Sequence, residues 1–191
     1  MKWGMKVNVN TRFMTEVAMM TALGIILDYL AGVFSIKLWP NGGSISIAMI
    51  PILLMGFRYG LKGGLLTGFL VGTIQLFYGY IIHPVQAMLD YPIAYTVLGL
   101  CGFFMIRSTM TVKKKIIYLI LGSFIGVGLR LVSHVISGIV WFGDSAPEGT
   151  PVLEFSVVYN STFLVPSYVI SVIILIVLLK TAPQLFEPKG A

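Results

Sequence analysis

The sequence predicts an all-α membrane protein, a single domain of six transmembrane helices with both termini on the cytoplasmic side. Three observations carry this prediction. Of 191 residues, 57% are hydrophobic and only 10% charged, with a mean hydropathy of +0.93, whereas roughly a quarter of a water-soluble domain is charged. The apolar residues form continuous runs rather than alternating segments of about ten, which favours helices over a β-barrel. The basic residues sort to alternate joints between the runs, as they do in loops facing the cytoplasm. At about 20 residues per crossing, five or six crossings fit and a soluble catalytic domain does not.

The first run, Met14 to Ile36, follows Lys2, Lys6 and Arg12. It resembles a signal peptide only in that start: Glu16 and Asp28 interrupt it, it runs long, and no small-x-small cleavage site follows, so it is expected to remain a helix. Pro40-Asn41-Gly42-Gly43 marks the joint. The second run, Ile45 to Phe57, would be about 20 Å of helix at roughly 1.5 Å per residue. That is short of about 30 Å of hydrocarbon, so it must stop short or lean on protein. Interrupted segments of this kind often border a cavity, where irregular backbone is tolerated. Arg58-Tyr59-Gly60 and Lys62 lead into the third run, Leu61 to Ile82, and His83-Pro84 into the fourth, Val85 to Ile106. Arg107, Lys113, Lys114 and Lys115 precede the fifth, Ile116 to Phe142; Pro147 to Pro151 precede the sixth, Val152 to Leu179, which Lys180 and Lys189 follow. The opposite loops hold Lys37 as their only Lys or Arg and carry Asp144, Glu148 and Glu154. A nucleic-acid surface is the competing explanation for the net charge of +6. These cations sit at membrane joints rather than on one face with interleaved aromatics, so no nucleic-acid partner is expected.

No G-x-x-x-x-G-K-[ST] phosphate loop, H-E-x-x-H or G-x-S-x-G occurs, and Cys101 is the single cysteine, so ATP hydrolysis by a phosphate loop, zinc proteolysis and redox chemistry have no carrier. No metal site or cofactor is expected. The informative residues are polar groups near the outer ends of the runs. Asp90 lies in an apolar stretch where a carboxylate is costly unless paired or wet; it either meets a cationic ligand or forms an internal salt bridge with Arg130. Arg130, His134, Gly138 and Trp141 fall at i, i+4, i+8 and i+11, one helical face. His134 is there a structural histidine or a ligand contact. Tyr159-Asn160-Ser161-Thr162 brings amide and hydroxyl groups into the sixth run, and Trp39, Tyr80, Tyr91, Trp141, Phe142, Phe155 and Tyr159 lie toward outer ends. Many such rings are interfacial belt. Together with a carboxylate and an amide they would suit a flat heteroaromatic cation. Ala18 and Ala22 form a small-xxx-small pair that either packs internally or meets a partner membrane protein; Gly63, Gly64, Gly68 and Gly72 read as internal packing.

These residues together resemble a family, the thiamine-specific substrate-binding (S) components of energy-coupling factor (ECF) transporters of the bacterial cell membrane. The resemblance runs over essentially the whole chain: Thr15-Glu16-Val17-Ala18 with Ala22, Pro40-Asn41-Gly42-Gly43-Ser44, Ile50-Pro51-Ile52, His83-Pro84-Val85-Gln86 to Asp90-Tyr91, His134-Val135-Ile136-Ser137-Gly138, and Gly149-Thr150-Pro151 to Tyr159-Asn160. It implies a thiamine pocket open to the outside under a lid between the first two spans. Its acidic residue is matched by Asp90, with Tyr91 beside it. Its other pocket residues are matched by Tyr80, His134, Gly138 and Asn160. A family tryptophan falls at Trp141 or Phe142, a family tyrosine is Phe155 here, the lid tryptophan corresponds to Trp39, and Arg130 stands where some relatives carry lysine. The resemblance further implies partners, a transmembrane coupling protein meeting Ala18 and Ala22 and two ATPase subunits, and no enzymatic step on the ligand. Two other readings use the same residues: an S-component for another vitamin, and a small intramembrane enzyme with Asp90 and His134 as acid and base. A structural subunit without ligand is a third.

Overall fold

The structure, a computed structural model, describes residues 9–34 and 43–187. Five helices are long and apolar enough to cross a membrane: α1 (Val9–Phe34), α2 (Met49–Gln75), α3 (Pro84–Phe104), α4 (Val112–Trp141) and α5 (Val152–Thr181). Among the described residues there is no strand. Six spans were predicted, and the difference lies in α2, which runs through the second apolar run and most of the third.

α2 is not one rod. Gly60 takes φ 67° and ψ −158° inside it, a conformation open to glycine and costly for other residues. A Cβ built on Gly64 would lie 3.0 Å from the Gly56 Cα, whereas eight residues of straight helix span about 12 Å. The helix therefore doubles back at Gly60 into arms of residues 49–59 and 61–75. The first arm, too short to cross alone, leans on protein: Met49, Ile52, Leu53, Met55 and Phe57 are all buried. The second arm ends at Gln75 rather than Ile82. Arg58 holds the reversal in place. Its buried guanidinium donates to Gln184 O at 3.2 Å and Leu185 O at 2.9 Å, and pairs with Glu16 of α1 at 3.0 Å. A buried charge of this kind is tolerated only when such partners are present.

The second arm packs on α3 through glycine. Gly64, Gly68 and Gly72 recur every four residues, so they lie along one face. A Cβ on Gly64 would come within 2.7 Å of Gly99 Cα, one on Gly68 would overlap the Tyr95 carbonyl, and one on Gly72 would lie 2.8 Å from Pro92 Cα. The backbones thus touch, and descending α2 residues meet ascending α3 residues in an antiparallel seam. α3 itself is irregular: a π turn covers Leu89–Ile93 around Pro92, and a 3-10 segment covers Gly99–Phe104. Proline cannot donate to the ladder, and its ring clashes with the preceding turn; a wider π turn relieves this. The Leu89 carbonyl, which accepts from Ala94 N–H across the π turn, also accepts from Ser133 of α4 at 2.7 Å.

α1 is peripheral, with only 17% of its apolar window buried against 67% for α2. Val17, Thr21 and Gly24 face the body, while Ala18 and Ala22 are exposed.

Candidate functional site

A cavity of about 570 Å³ lies among α1, α3, α4, α5 and the end of α2, within the ordinary size of small-molecule sites, roughly 300–1,000 Å³. Asp90 enters it from the π turn of α3. Its carboxylate accepts three hydrogen bonds: from Gln86 Nε2 at 2.6 Å, from Ser137 Oγ at 2.8 Å and from His134 Nδ1 at 2.9 Å. Arg130 stands behind His134 and donates from Nε to His134 Nε2 at 3.3 Å. A guanidinium only donates, so Nε2 must accept and Nδ1 carries the proton that goes to Asp90. Asp90 is thus an oriented anion beside a neutral imidazole. It makes no ion pair with Arg130, so the internal salt bridge considered from the sequence is replaced by a relay through His134. The guanidinium lies instead over the Tyr95 ring, 4.0 Å from its centroid.

Of the residues singled out in the sequence, Tyr80, Asp90, Tyr91, Arg130, His134, Gly138, Phe142, Phe155 and Asn160 all line this cavity. Tyr91 donates its hydroxyl to Tyr80 O at 3.1 Å. Tyr80 and Phe142 stand 6.3 Å apart as one aromatic wall; Phe155, Tyr159 and Phe163 follow one another along α5 at 5.7 and 6.4 Å as another. Asn160 donates from Nδ2 to Ser156 O at 2.9 Å, which leaves its carbonyl as the acceptor end. A Cβ on Gly138 would overlap Ser156 Oγ; glycine there lets α4 and α5 close beside Asn160. Trp141 is not brought to the cavity. Its ring stacks on His83 at 5.3 Å, and the neighbouring Phe142 lines the wall in its place. Trp39 lies outside the described residues. The described end of its loop is anchored by Ser46, whose N–H donates to Ser167 Oγ at 3.0 Å.

Sequence reasoning missed several lining residues. Gln86 and Ser137 lie one helical turn from Asp90 and His134, so helical spacing from known polar residues could have found them. Asp28 was visible as an isolated carboxylate in an apolar helix, itself a signal. It accepts from Tyr95 OH at 3.2 Å and Tyr78 OH at 3.4 Å. Burial, and then the Asp28 charge, push the Tyr78 phenol above its usual range, which keeps it a donor. Counting the wall, two carboxylates, Asp28 and Asp90, face one guanidinium, Arg130. With His134 neutral and both carboxylates ionised, the described lining side chains sum to one net negative charge.

Known proteins resemble this chain over nearly its whole length. The family profile described as thiamine transporter protein (Thia_YuaJ) matches residues 14–187. This chain belongs to that family. The thiamine transporter ThiT of Bacillus subtilis (strain 168) is 45% identical over 183 residues, covering 92% of this chain and 94% of its own. ThiT of Lacticaseibacillus paracasei is 32% identical over 188 residues, covering 91% and 90%. The solved structure of ThiT from Listeria monocytogenes superposes with a TM-score of 0.85 at 29% identity, over 95% of this chain and all of that one. The family and the five apolar helices make this a multi-pass membrane protein. Its relatives are named as transporters, in keeping with a non-enzymatic role.

Proposed function

We propose that this chain captures thiamine as the S-component of an ECF uptake transporter. The observation that carries the reading is Asp90: a carboxylate fixed by three donors inside an aromatic-walled cavity whose described lining holds two carboxylates and one guanidinium. Thiamine is a flat, permanently cationic ligand. Its thiazolium would gain from the rings and the field of the two carboxylates, and its aminopyrimidine has donors and acceptors for Asp90, His134 and the Asn160 carbonyl. Family membership and the names of the relatives support the same ligand. With α2 doubled back, the chain would cross the bilayer six times with both termini cytoplasmic, as the basic joints require. The exposed Ala18 and Ala22 on the least buried helix would receive a transmembrane coupling protein, where small residues permit close approach. Two ATPase subunits would supply the energy, since the sequence contains no phosphate loop.

Isothermal titration of purified protein in detergent tests the ligand. Thiamine is expected to bind tightly, with riboflavin and biotin silent. Tight binding of either of those without thiamine binding would reassign the specificity. Consumption of thiamine during incubation would point to the intramembrane enzyme instead.

A further inference from the structure

The cavity has a second acidic pole, which adds to the field around a cation but has no directed contact with the ligand assigned to it. Asp28 projects from α1, Asp90 from α3, and their hydrogen-bond sets are separate: Tyr78 and Tyr95 serve Asp28, whereas Gln86, Ser137 and His134 serve Asp90. Among the described residues the two sets meet through Arg130, which bonds His134 and covers the Tyr95 ring. Beside Asp28, Gln75 lines the cavity and donates from Nε2 to Tyr95 OH at 2.8 Å. Gln75 is only 2% exposed, and its Oε1 has no hydrogen-bond partner. A buried acceptor without a donor carries the cost of its lost hydration. This pole therefore offers a carboxylate and an orphan amide oxygen, both acceptors, while its hydroxyls are spent on Asp28. It asks for a donor.

We propose that Asp28, backed by Gln75, is the specificity-determining residue that receives the free hydroxyl of the ligand's side arm and rejects a phosphate in its place. The proposal rests on thiamine as the ligand, whose hydroxyethyl arm ends in an alcohol. An alcohol can donate to Asp28 or Gln75 Oε1. A phosphate monoester brings about −1.5 to −2 charges and only acceptor oxygens at neutral pH, so it meets like charge and like lone pairs. Among the described lining residues the one guanidinium, Arg130, gives its Nε–H to His134 and its face to the Tyr95 ring.

The test is a titration series with thiamine, thiamine monophosphate and an analogue whose hydroxyl is replaced by hydrogen, on wild type, Asp28→Asn and Asp28→Glu. Wild type is expected to bind both modified ligands at least tenfold more weakly than thiamine. Asp28→Asn should narrow the gap between thiamine and its monophosphate severalfold, and Asp28→Glu should keep it. Equal wild-type affinity for thiamine and the monophosphate would overturn the proposal without any variant, so a misfolded Asp28→Asn does not shelter it. An unchanged ratio in a folded Asp28→Asn would overturn it too, while leaving thiamine capture intact. Failure of wild type to bind thiamine at all would instead remove the reading on which it rests.

Discussion

α3 takes part in two contrasting regions, a close backbone seam against α2 and an open cavity shared with α1, α4 and α5. Along the seam, Gly64, Gly68 and Gly72 leave no room for a methyl group against the α3 backbone. A turn or so further along α3, Asp90 borders a cavity of about 570 Å³. The seam has no side chains to repack, so it resists distortion, and protein interiors transmit strain rather than absorb it. Asp90 immediately precedes residues whose backbones rest on this seam: Gly72 approaches Tyr91 and Pro92 directly. Rigid packing on one side thus holds the binding groups in place on the other, the arrangement that a preorganised site needs.

Breaking the seam should have the largest effect. Gly68→Leu would drive a side chain into the Tyr95 backbone, which cannot step aside, and should destabilise the fold by about 3 kcal/mol or more. Thermal unfolding in detergent checks this; a wild-type unfolding temperature would mean that α2 and α3 are not locked together. Smaller and more local is the division of labour between Trp141 and Phe142. Phe142→Ala should weaken thiamine binding by roughly fivefold to tenfold, about 1 kcal/mol of ring contact, whereas Trp141→Ala should leave affinity at the wild-type level and disturb only the His83 stack. The reverse order in titration would place the indole, not the phenyl, at the ligand.

The two regions were not equally legible in the sequence. The all-helical membrane class followed from continuous apolar runs, because burying backbone in lipid leaves few alternatives. The glycine spacing of the seam was readable as packing, but its partner strip on α3 was not: a small residue shows that something approaches, not what. The crossing count depends on Gly60: Arg58-Tyr59-Gly60 reads as a joint between two runs, and the structure breaks the helix there, with the two arms folded so closely on each other that they form one element. Within the cavity, Asp90, His134 and Asn160 stood out as polar groups in apolar surroundings. Gln75 and Tyr95 did not, since an amide at a helix end and a tyrosine in a span are unremarkable until folding brings them to Asp28. The choice between Trp141 and Phe142 was beyond helical arithmetic, because adjacent residues lie only about 100° apart and either could turn inward.

The central claim is that an oriented Asp90 carboxylate attracts a cationic ring ligand, and one titration tests it most directly. Thiamine binding is measured on wild type and on Asp90→Asn, with the folded state of both checked by thermal unfolding. Loss of a charge-assisted contact of about 2 kcal/mol predicts roughly thirtyfold weaker binding in the variant. Equal affinity in a folded Asp90→Asn protein would contradict the account.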